Sequence, residues 1–487
     1  MQEARQFALF SRHNDTKEQR YSMKSDTTTF VTHNPHLGED IAEHTTLSDA
    51  QIDEALQRSH VAYSQWSARS LEERVVILHN VARELRARAN GICAIESKEM
   101  GKPIAQARGE LELAAAAFDY YADQGPTLLA DEPIEVTGGG RGVIRTAPLG
   151  VILGIMPWNF PLYQSARFVA PSLLVGNTVL LKHARATTGT GEAFAEALRA
   201  AGVPDGVFEN LVCSPSQLLP LIADDRLQGV SLTGSEAAGR TIGEAAGRNL
   251  KKAVLELGGS DPFIVLGDAD LDDALEFAEV GRFNNAGQSC NSSKRMIIHD
   301  SVWDQFLDGL VERSAAWVGA DPLDEATKLG PMASVSARDE LVELIDDAVR
   351  LGATIHVGGE VPDGPGAHYP ITILSGVTPE MRAYHEELFG PVAVLYRVSS
   401  ADEAVDVAND TRFGLGSTVF TADVELADRI ADRLEAGMVG LNILVRSQPG
   451  MPFGGVKASG IGRELGRLGL DEFANKKVLR IATPDSV

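Results

Sequence analysis

VILGIMPWNFPLYQSARFVAPSLLVGNTVLLK, residues 151–182, decides the fold. VILGIMPWNF is an apolar run that tolerates glycine, QSARFVAPSLLVG has a helical pattern, and TVLLK is apolar again, so the stretch reads strand, helix, strand. The unit recurs. GVSLTGSEAAGRTIGEAAGRNLKKAVLELGG gives strand, a turn at Thr233 to Ser235, helix and strand, the rhythm of a parallel sheet covered by helices. Dinucleotides bind at the carboxyl ends of such strands.

Upstream, SDAQIDEALQRSHVAYSQW opens on a serine cap, and EERVVILHNVARELRARANGICAIESKEMGKP keeps a 3.6-residue apolar face until Gly101 and Pro103 end it. These are covering helices. PIEVTGGGRGVIRTAP reads as a projecting hairpin around a glycine-rich turn. Downstream of Gly259 a second α/β region alternates apolar strands with amphipathic helices, with PDGPGAHYPITILSG as a surface loop and KKVLRIATP as an edge strand open to pairing with another subunit. The domains expected are a polar extension over residues 1–27, a cofactor domain over 28–129 and 147–256, and a catalytic domain over 257–445. An oligomerisation element occupies 130–146 and 470–487. Met23 lies inside the extension as an alternative start.

A chain of 487 residues that is 44% hydrophobic can fill more than one core, which fits this division. Its net charge of −24 argues against nonspecific binding to nucleic acid or to an anionic membrane, and means that any site for an anion must be locally basic. No apolar run approaches the roughly 18 to 20 residues that span a bilayer. Three cysteines without metal-ligand spacing fit a reduced cytoplasmic compartment and no metal site.

Cys93, on an apolar helix face, and Cys213, after a strand-like LV, read as small buried hydrophobes. Cys290 differs. It sits in FNNAGQSCNSSKR, residues 283–295, a polar loop containing glycine that favours presenting a thiol over packing it. In VLELGGSDP, Glu256 lies between Leu255 and Leu257, where partial desolvation raises a carboxyl toward general-base values; an edge carboxylate facing water is the alternative. The glycine pair beside it would let a substrate approach the backbone. In MPWNFP, Asn159 stands in a rigid turn between two prolines, suited to stabilising an oxyanion as a neutral donor, or simply to making a turn. LTGSEAAG places Gly234, Ser235 and Gly239 at a strand-to-helix junction, a weak phosphate-binding signal by itself.

With MPWNFP, the lysine of LLKHA, LTGSxxxG, LELGG, the GQSC cysteine, EELFGPV and PFGGVKASGIGRE in this order, the chain from about Phe30 onward resembles the aldehyde dehydrogenase superfamily, nearest its bacterial succinate-semialdehyde dehydrogenases. The resemblance implies a Rossmann-type cofactor domain beside an α/β catalytic domain. It makes Cys290 the nucleophile, Glu256 the general base, and Asn159 with the Cys290 backbone N–H the oxyanion holder. It further implies that Lys182 binds the adenosine ribose or its phosphate, that Trp158 and Ser235 line the pyrophosphate, and that Glu387 and Phe389 position the nicotinamide ribose and ring. Met156, Pro157, Ala184, Gly234, Gly239 and Leu257 complete the cofactor set. The aldehyde would form a thioester on the thiol, hydrolysed by water that Glu256 activates.

Arg167, eight residues after Asn159, matches the arginine that grips the substrate carboxylate in succinate-semialdehyde dehydrogenases. Two positions depart from the pattern. Where some relatives carry a second carboxylate arginine this chain has Asn284, which leaves Arg282, Arg446 or Ser447 to hold the substrate tail, and Ser292 removes any redox partner for the nucleophile. Arg185 stands where NAD-preferring relatives often place glutamate, so the cofactor expected is NADP, with NAD possible. The alternatives are a dehydrogenase of an uncharged or aromatic aldehyde, an acylating enzyme that passes the thioester to coenzyme A, and a non-catalytic scaffold. The assembly expected is a homodimer or homotetramer in the cytoplasm.

Overall fold

The computed structural model describes residues 27–137 and 139–482. Residues 1–26, which hold nearly all of the polar extension and Met23, lie outside the described residues, as does Gly138 of the glycine turn. Two large sheets dominate. The first has six strands in the order Gly460–Ile461, Lys252–Glu256, Leu227–Thr233, Val151–Ile155, Thr178–Lys182, Phe208–Asn210. All its pairings are parallel except that of Gly460–Ile461 with Lys252–Glu256. Val151–Ile155 and Thr178–Lys182 are buried along their whole length because helices cover both faces, so they read as continuous apolar runs and not as alternating ones.

The second sheet has seven strands, in the order Thr354–Val357, Thr372–Ser375, Val392–Val398, Ser293–His299, Asp261–Val265, Gly416–Phe420, Met438–Leu441. Only Thr354–Val357 runs antiparallel to its neighbour. PITILSG, expected in a surface loop, holds the strand Thr372–Ser375 inside this sheet, because Ile371, Ile373 and Leu374 are buried in its two cores. The chain then returns. Residues after 445, which the domain boundaries had left between the catalytic and oligomerisation elements, come back to the first sheet and pair with it at Glu256.

The predicted hairpin forms, with Glu132–Ile134 antiparallel to Arg141–Pro148, and Ala474–Ile481 adds a third strand along the other side. The single long amphipathic helix expected before Gly101 is two, Leu71–Ala87 and Ala89–Met100. Arg88 leaves helical geometry at φ −101°, ψ 5°, just before the weak helix formers Asn90 and Gly91.

One helix cap bears on the position of Asn159. Helix Pro161–Val175 has no side-chain cap of its own, and Glu110 of helix Ile104–Leu128 supplies one from outside, accepting from the Leu162 and Tyr163 N–H groups at 2.8 and 3.0 Å. Glu110 is itself paired with the buried Lys102, whose ammonium also meets Glu96 at 2.7 Å. A negative charge at a helix N-terminus is favourable, and this one fixes the turn that carries Asn159.

Candidate active site

Strand Val151–Ile155 is followed by Thr178–Lys182 on one side and by Leu227–Thr233 on the other. The winding therefore reverses between Val151–Ile155 and Leu227–Thr233, and in open α/β sheets ligands bind at the carboxyl ends of the strands at such a switch point. Met156, Pro157 and Trp158 leave one strand there; Gly234 and Ser235 leave the other. Ser235 caps helix Glu236–Arg248, its Oγ accepting from the Ala238 N–H at 3.3 Å. Beside it Gly234 is open: a Cβ there would meet nothing nearer than Leu232 Cδ2 at 4.0 Å.

Lys182 ends the neighbouring strand, and after Ala184 the exposed Arg185 lays its guanidinium 5.1 Å from the Phe30 ring centre. Burial, with Arg185 adding to it, pushes the Lys182 ammonium below its usual range. Neither cation has a carboxylate partner among the described residues, so this strand end is a place for an anion. Gly239 lies elsewhere. A Cβ on it would sit 2.5 Å from Leu257 Cδ2, so Gly239 lets the helix close onto the sheet against Leu257.

The Cys290 loop is strained and pinned. Asn285, Ala286 and Gly287 take left-handed φ values of 54°, 50° and 69°, which non-glycine residues hold only when their surroundings compel it. Here the Asn285 N–H donates to Gln106 Oε1 at 2.8 Å, Asn285 Nδ2 to the Asn159 carbonyl at 2.9 Å, and Gln288 Nε2 to the Asn285 carbonyl at 3.1 Å. Asn159 Nδ2 in turn donates to the Gln288 carbonyl at 3.0 Å, which ties the amide to the cysteine loop and leaves it one hydrogen. Cys290 is half-buried against the core that holds helix Pro161–Val175, and burial pushes its thiol up to about 12 against the pull of Arg167 and Lys294.

Arg282 cannot hold a substrate tail. It is fully buried and spends its guanidinium on the carbonyls of Val392, Leu388, Gly390 and Gly287 and on Ser292 Oγ, at 2.6 to 3.2 Å. Gly287 presses against the Gly390 carbonyl, 2.2 Å from where its Cβ would be, so it serves this junction. Asn284 and Arg446 are exposed, whereas Ser447 is held by the Tyr163 hydroxyl at 2.9 Å.

Glu256 ends strand Lys252–Glu256, 2% exposed, with neither carboxyl oxygen hydrogen-bonded among the described residues. Burial first, then Glu464, raises its carboxyl well above the usual range, while Arg167 and Arg463 oppose the shift. Arg167, 2% exposed, pairs through Nε with Glu464, lies 4.4 Å over the Phe453 ring and has no hydrogen-bond partner for Nη2 among the described residues. Between the two sheets Gly258 and Gly259 admit close neighbours: a Cβ on the first would lie 2.3 Å from Glu387 Oε2, and on the second 2.4 Å from the Cys290 carbonyl oxygen. The pair thus makes room for the cysteine loop and for Glu387, where the sequence had suggested room for the substrate. Glu387 Oε1 accepts from the Gly259 N–H at 3.1 Å, and the Phe389 ring meets Trp158 edge-on at 5.6 Å.

A sequence profile described as "Aldehyde dehydrogenase family" matches residues 22–479. The chain belongs to the aldehyde dehydrogenase family. It is 47% identical over 451 residues to the succinate-semialdehyde dehydrogenase [NADP(+)] of Deinococcus radiodurans, covering 93% of this chain and 94% of that one. It is 43% identical to succinate-semialdehyde dehydrogenase [NADP(+)] 1 of Mycobacterium tuberculosis H37Rv, with 93% and 99% covered. The crystal structure of the Streptococcus pyogenes succinic semialdehyde dehydrogenase in complex with NADP+ superposes with a TM-score of 0.91 at 40% identity, covering 93% of this chain and all of that one.

Two charged groups of this aldehyde dehydrogenase were not picked out by sequence. Glu464 sits in the GIGRE end of a motif already quoted, and Lys294 lies four residues after Cys290 in a strand that reads as apolar structure. The glycines separate fold from site experimentally. Gly259→Ala drives a methyl into the Cys290 carbonyl and is expected to lower kcat by on the order of 100-fold in a protein that still folds. Gly234→Ala meets no atom of the chain closely, so it should leave the melting temperature unchanged and raise KM for the dinucleotide. Steady-state kinetics with thermal melts of both variants check this, and an unimpaired Gly259→Ala enzyme would refute the close-approach argument.

Proposed function

We propose that this aldehyde dehydrogenase oxidises succinate semialdehyde, or a similarly short ω-carboxy aldehyde, to the acid with NADP, NAD being possible. The observation that carries the reading is Arg167: a buried guanidinium that favours ionisation of Cys290, is held from one side by Glu464, and keeps an unpartnered Nη2 in a wall otherwise made by Tyr163 and Phe453. A buried donor fork of this kind suits a carboxylate. The names of the relatives at 43–47% identity agree with it.

In this reading the Cys290 thiolate attacks the aldehyde carbon, and the remaining hydrogen of the Asn159 amide and the Cys290 backbone N–H receive the oxyanion. The dinucleotide, when bound, accepts the hydride. Lys182 and Arg185 would hold its 2′-phosphate, Trp158, Gly234 and Ser235 its pyrophosphate, and Glu387 and Phe389 the nicotinamide ribose and ring. Glu256 then takes a proton from water, whose oxygen attacks the thioester and releases the acid and the thiol. Residues 28–129 with 147–256 form the cofactor domain and 257–445 the catalytic domain. The strand Ala474–Ile481, with Val478 exposed, joins subunits of a cytoplasmic dimer or tetramer.

Arg167→Ala should raise KM for succinate semialdehyde far more than KM for an uncharged aldehyde of similar length; equal effects on both would discard the carboxylate role. Glu256→Gln should still give a single-turnover burst of NADPH while steady turnover collapses, whereas Cys290→Ser should give neither. Because the raised Glu256 carboxyl must be ionised to accept a proton, wild-type thioester hydrolysis should rise with pH through a midpoint above the ordinary carboxylate range, and a flat profile there would remove Glu256 as base. Arg185→Glu should shift the ratio of kcat/KM for NADP over NAD toward NAD by on the order of 100-fold; an unchanged ratio would place the 2′-phosphate elsewhere.

A further inference from the structure

Lys294 opens no path to solvent and is 1% exposed, yet it is not an ordinary buried salt bridge. Its ammonium has three hydrogens and meets three acceptors: the Ser289 carbonyl at 2.6 Å, the Cys290 carbonyl at 2.8 Å and Glu387 Oε1 at 3.0 Å. It also lies 5.7 Å from the centre of the Phe389 ring. One cation therefore touches the backbone of the thiol residue, the residue before it, and a carboxylate 97 positions beyond the thiol along the chain.

We propose that Lys294 is a positioning residue that couples the dinucleotide's seat to the nucleophile: its ammonium fixes the Ser289 and Cys290 carbonyls and aims Glu387, so that the thiol and the ring-positioning carboxylate are held in one frame. This rests on the reading of Cys290 as nucleophile and Glu387 as cofactor ligand. Strand position supports it. Lys294 follows directly after the loop, within strand Ser293–His299, which is paired on both sides in the centre of the catalytic sheet, so the ammonium is anchored to the most rigid part of that half. A flexible contact could not hold two carbonyls and a carboxylate at once.

The charges facing the thiol are few: Arg167 from helix Pro161–Val175 and Lys294 favour its ionised form, and Glu387 and Asp261 oppose it. Asp261 begins the adjacent strand, is buried, and is pushed up to about 8 by that burial, with Lys294 the cation that restrains it. Loss of the Lys294 charge removes one of the two groups that favour the thiolate and, at the same time, releases Glu387.

The test uses Lys294→Met and Lys294→Gln in the full chain, the glutamine keeping donors for the carbonyls without the charge. The rate of Cys290 alkylation by iodoacetamide is followed against pH without dinucleotide, and KM for NADP and kcat are measured separately. The midpoint of alkylation should rise by about 1 unit in both variants. KM for NADP should rise roughly tenfold in Lys294→Met, as for loss of one charge-assisted hydrogen bond. An unchanged alkylation midpoint in either folded variant overturns the proposal, and so does failure of both variants to fold, since Lys294 would then be holding the protein and not the site. Inertness of Cys290→Ser alongside unaltered Lys294 variants would sink this inference alone, whereas an active Cys290→Ser enzyme would sink the reading beneath it.

Discussion

The two sheets meet where the chain has no side chains. Strand Lys252–Glu256 ends the parallel part of the first sheet, Asp261–Val265 begins the second sheet, and the four residues between them include Gly258 and Gly259. Glu387 and the Cys290 carbonyl occupy the space in which Cβ atoms would stand. A methyl at either position would wedge the halves apart and disturb the contacts made across this seam. In the function proposed, this seam is what brings together a base and a nucleophile 34 residues apart in the chain.

Charge follows from the same geometry. A chain of net charge −24 repels anions at long range, so an anionic aldehyde and a phosphorylated dinucleotide can be held only by cations placed where they bind. On the function proposed, Arg167 and Lys182 are such cations; Lys294 is a third buried cation, committed to groups of the chain itself. Taking a cation out of water is costly unless acceptors replace the water. Glu464 does this for Arg167, and two carbonyls and Glu387 do it for Lys294. Among the described residues the charged and titratable groups acting on Lys182 are Arg185 and the Cys213 thiol, neither of which replaces water, and an anion would relieve this imbalance.

Much of the frame was legible because period and punctuation are local properties. Strand, turn and helix over residues 151–182 follow from apolar runs broken by Gly, Pro and Asn, and the same marks placed Cys290, Asn159 and Ser235 at junctions. Contacts that depend on what arrives from elsewhere were not legible. Arg282 reads as a free helix-end cation until four carbonyls from 287–392 close on it, and Gly239 reads as a phosphate turn until Leu257 fills its face. The strand Thr372–Ser375 was hidden by the prolines and glycines before it, although its apolar residues mark it. Lys294 was hidden more deeply, since a lysine in an apolar strand ordinarily snorkels to water.

Glu256, Glu464 and Arg167 form one buried charge cluster. Arg167 pairs with Glu464 and opposes the upward shift that burial and Glu464 impose on the Glu256 carboxyl, whose oxygens have no hydrogen-bond partner among the described residues. The substrate proposed adds one further carboxylate, which Arg167 can accept through its unpartnered Nη2. Hydrolysis of the thioester then creates a second carboxylate beside Cys290 and Glu256, in a region whose cations are already committed. Repulsion among these anions is not screened where water is excluded, and it acts on the diacid and not on the aldehyde. In the function proposed, the cluster that desolvates Glu256 therefore favours departure of the diacid over its retention.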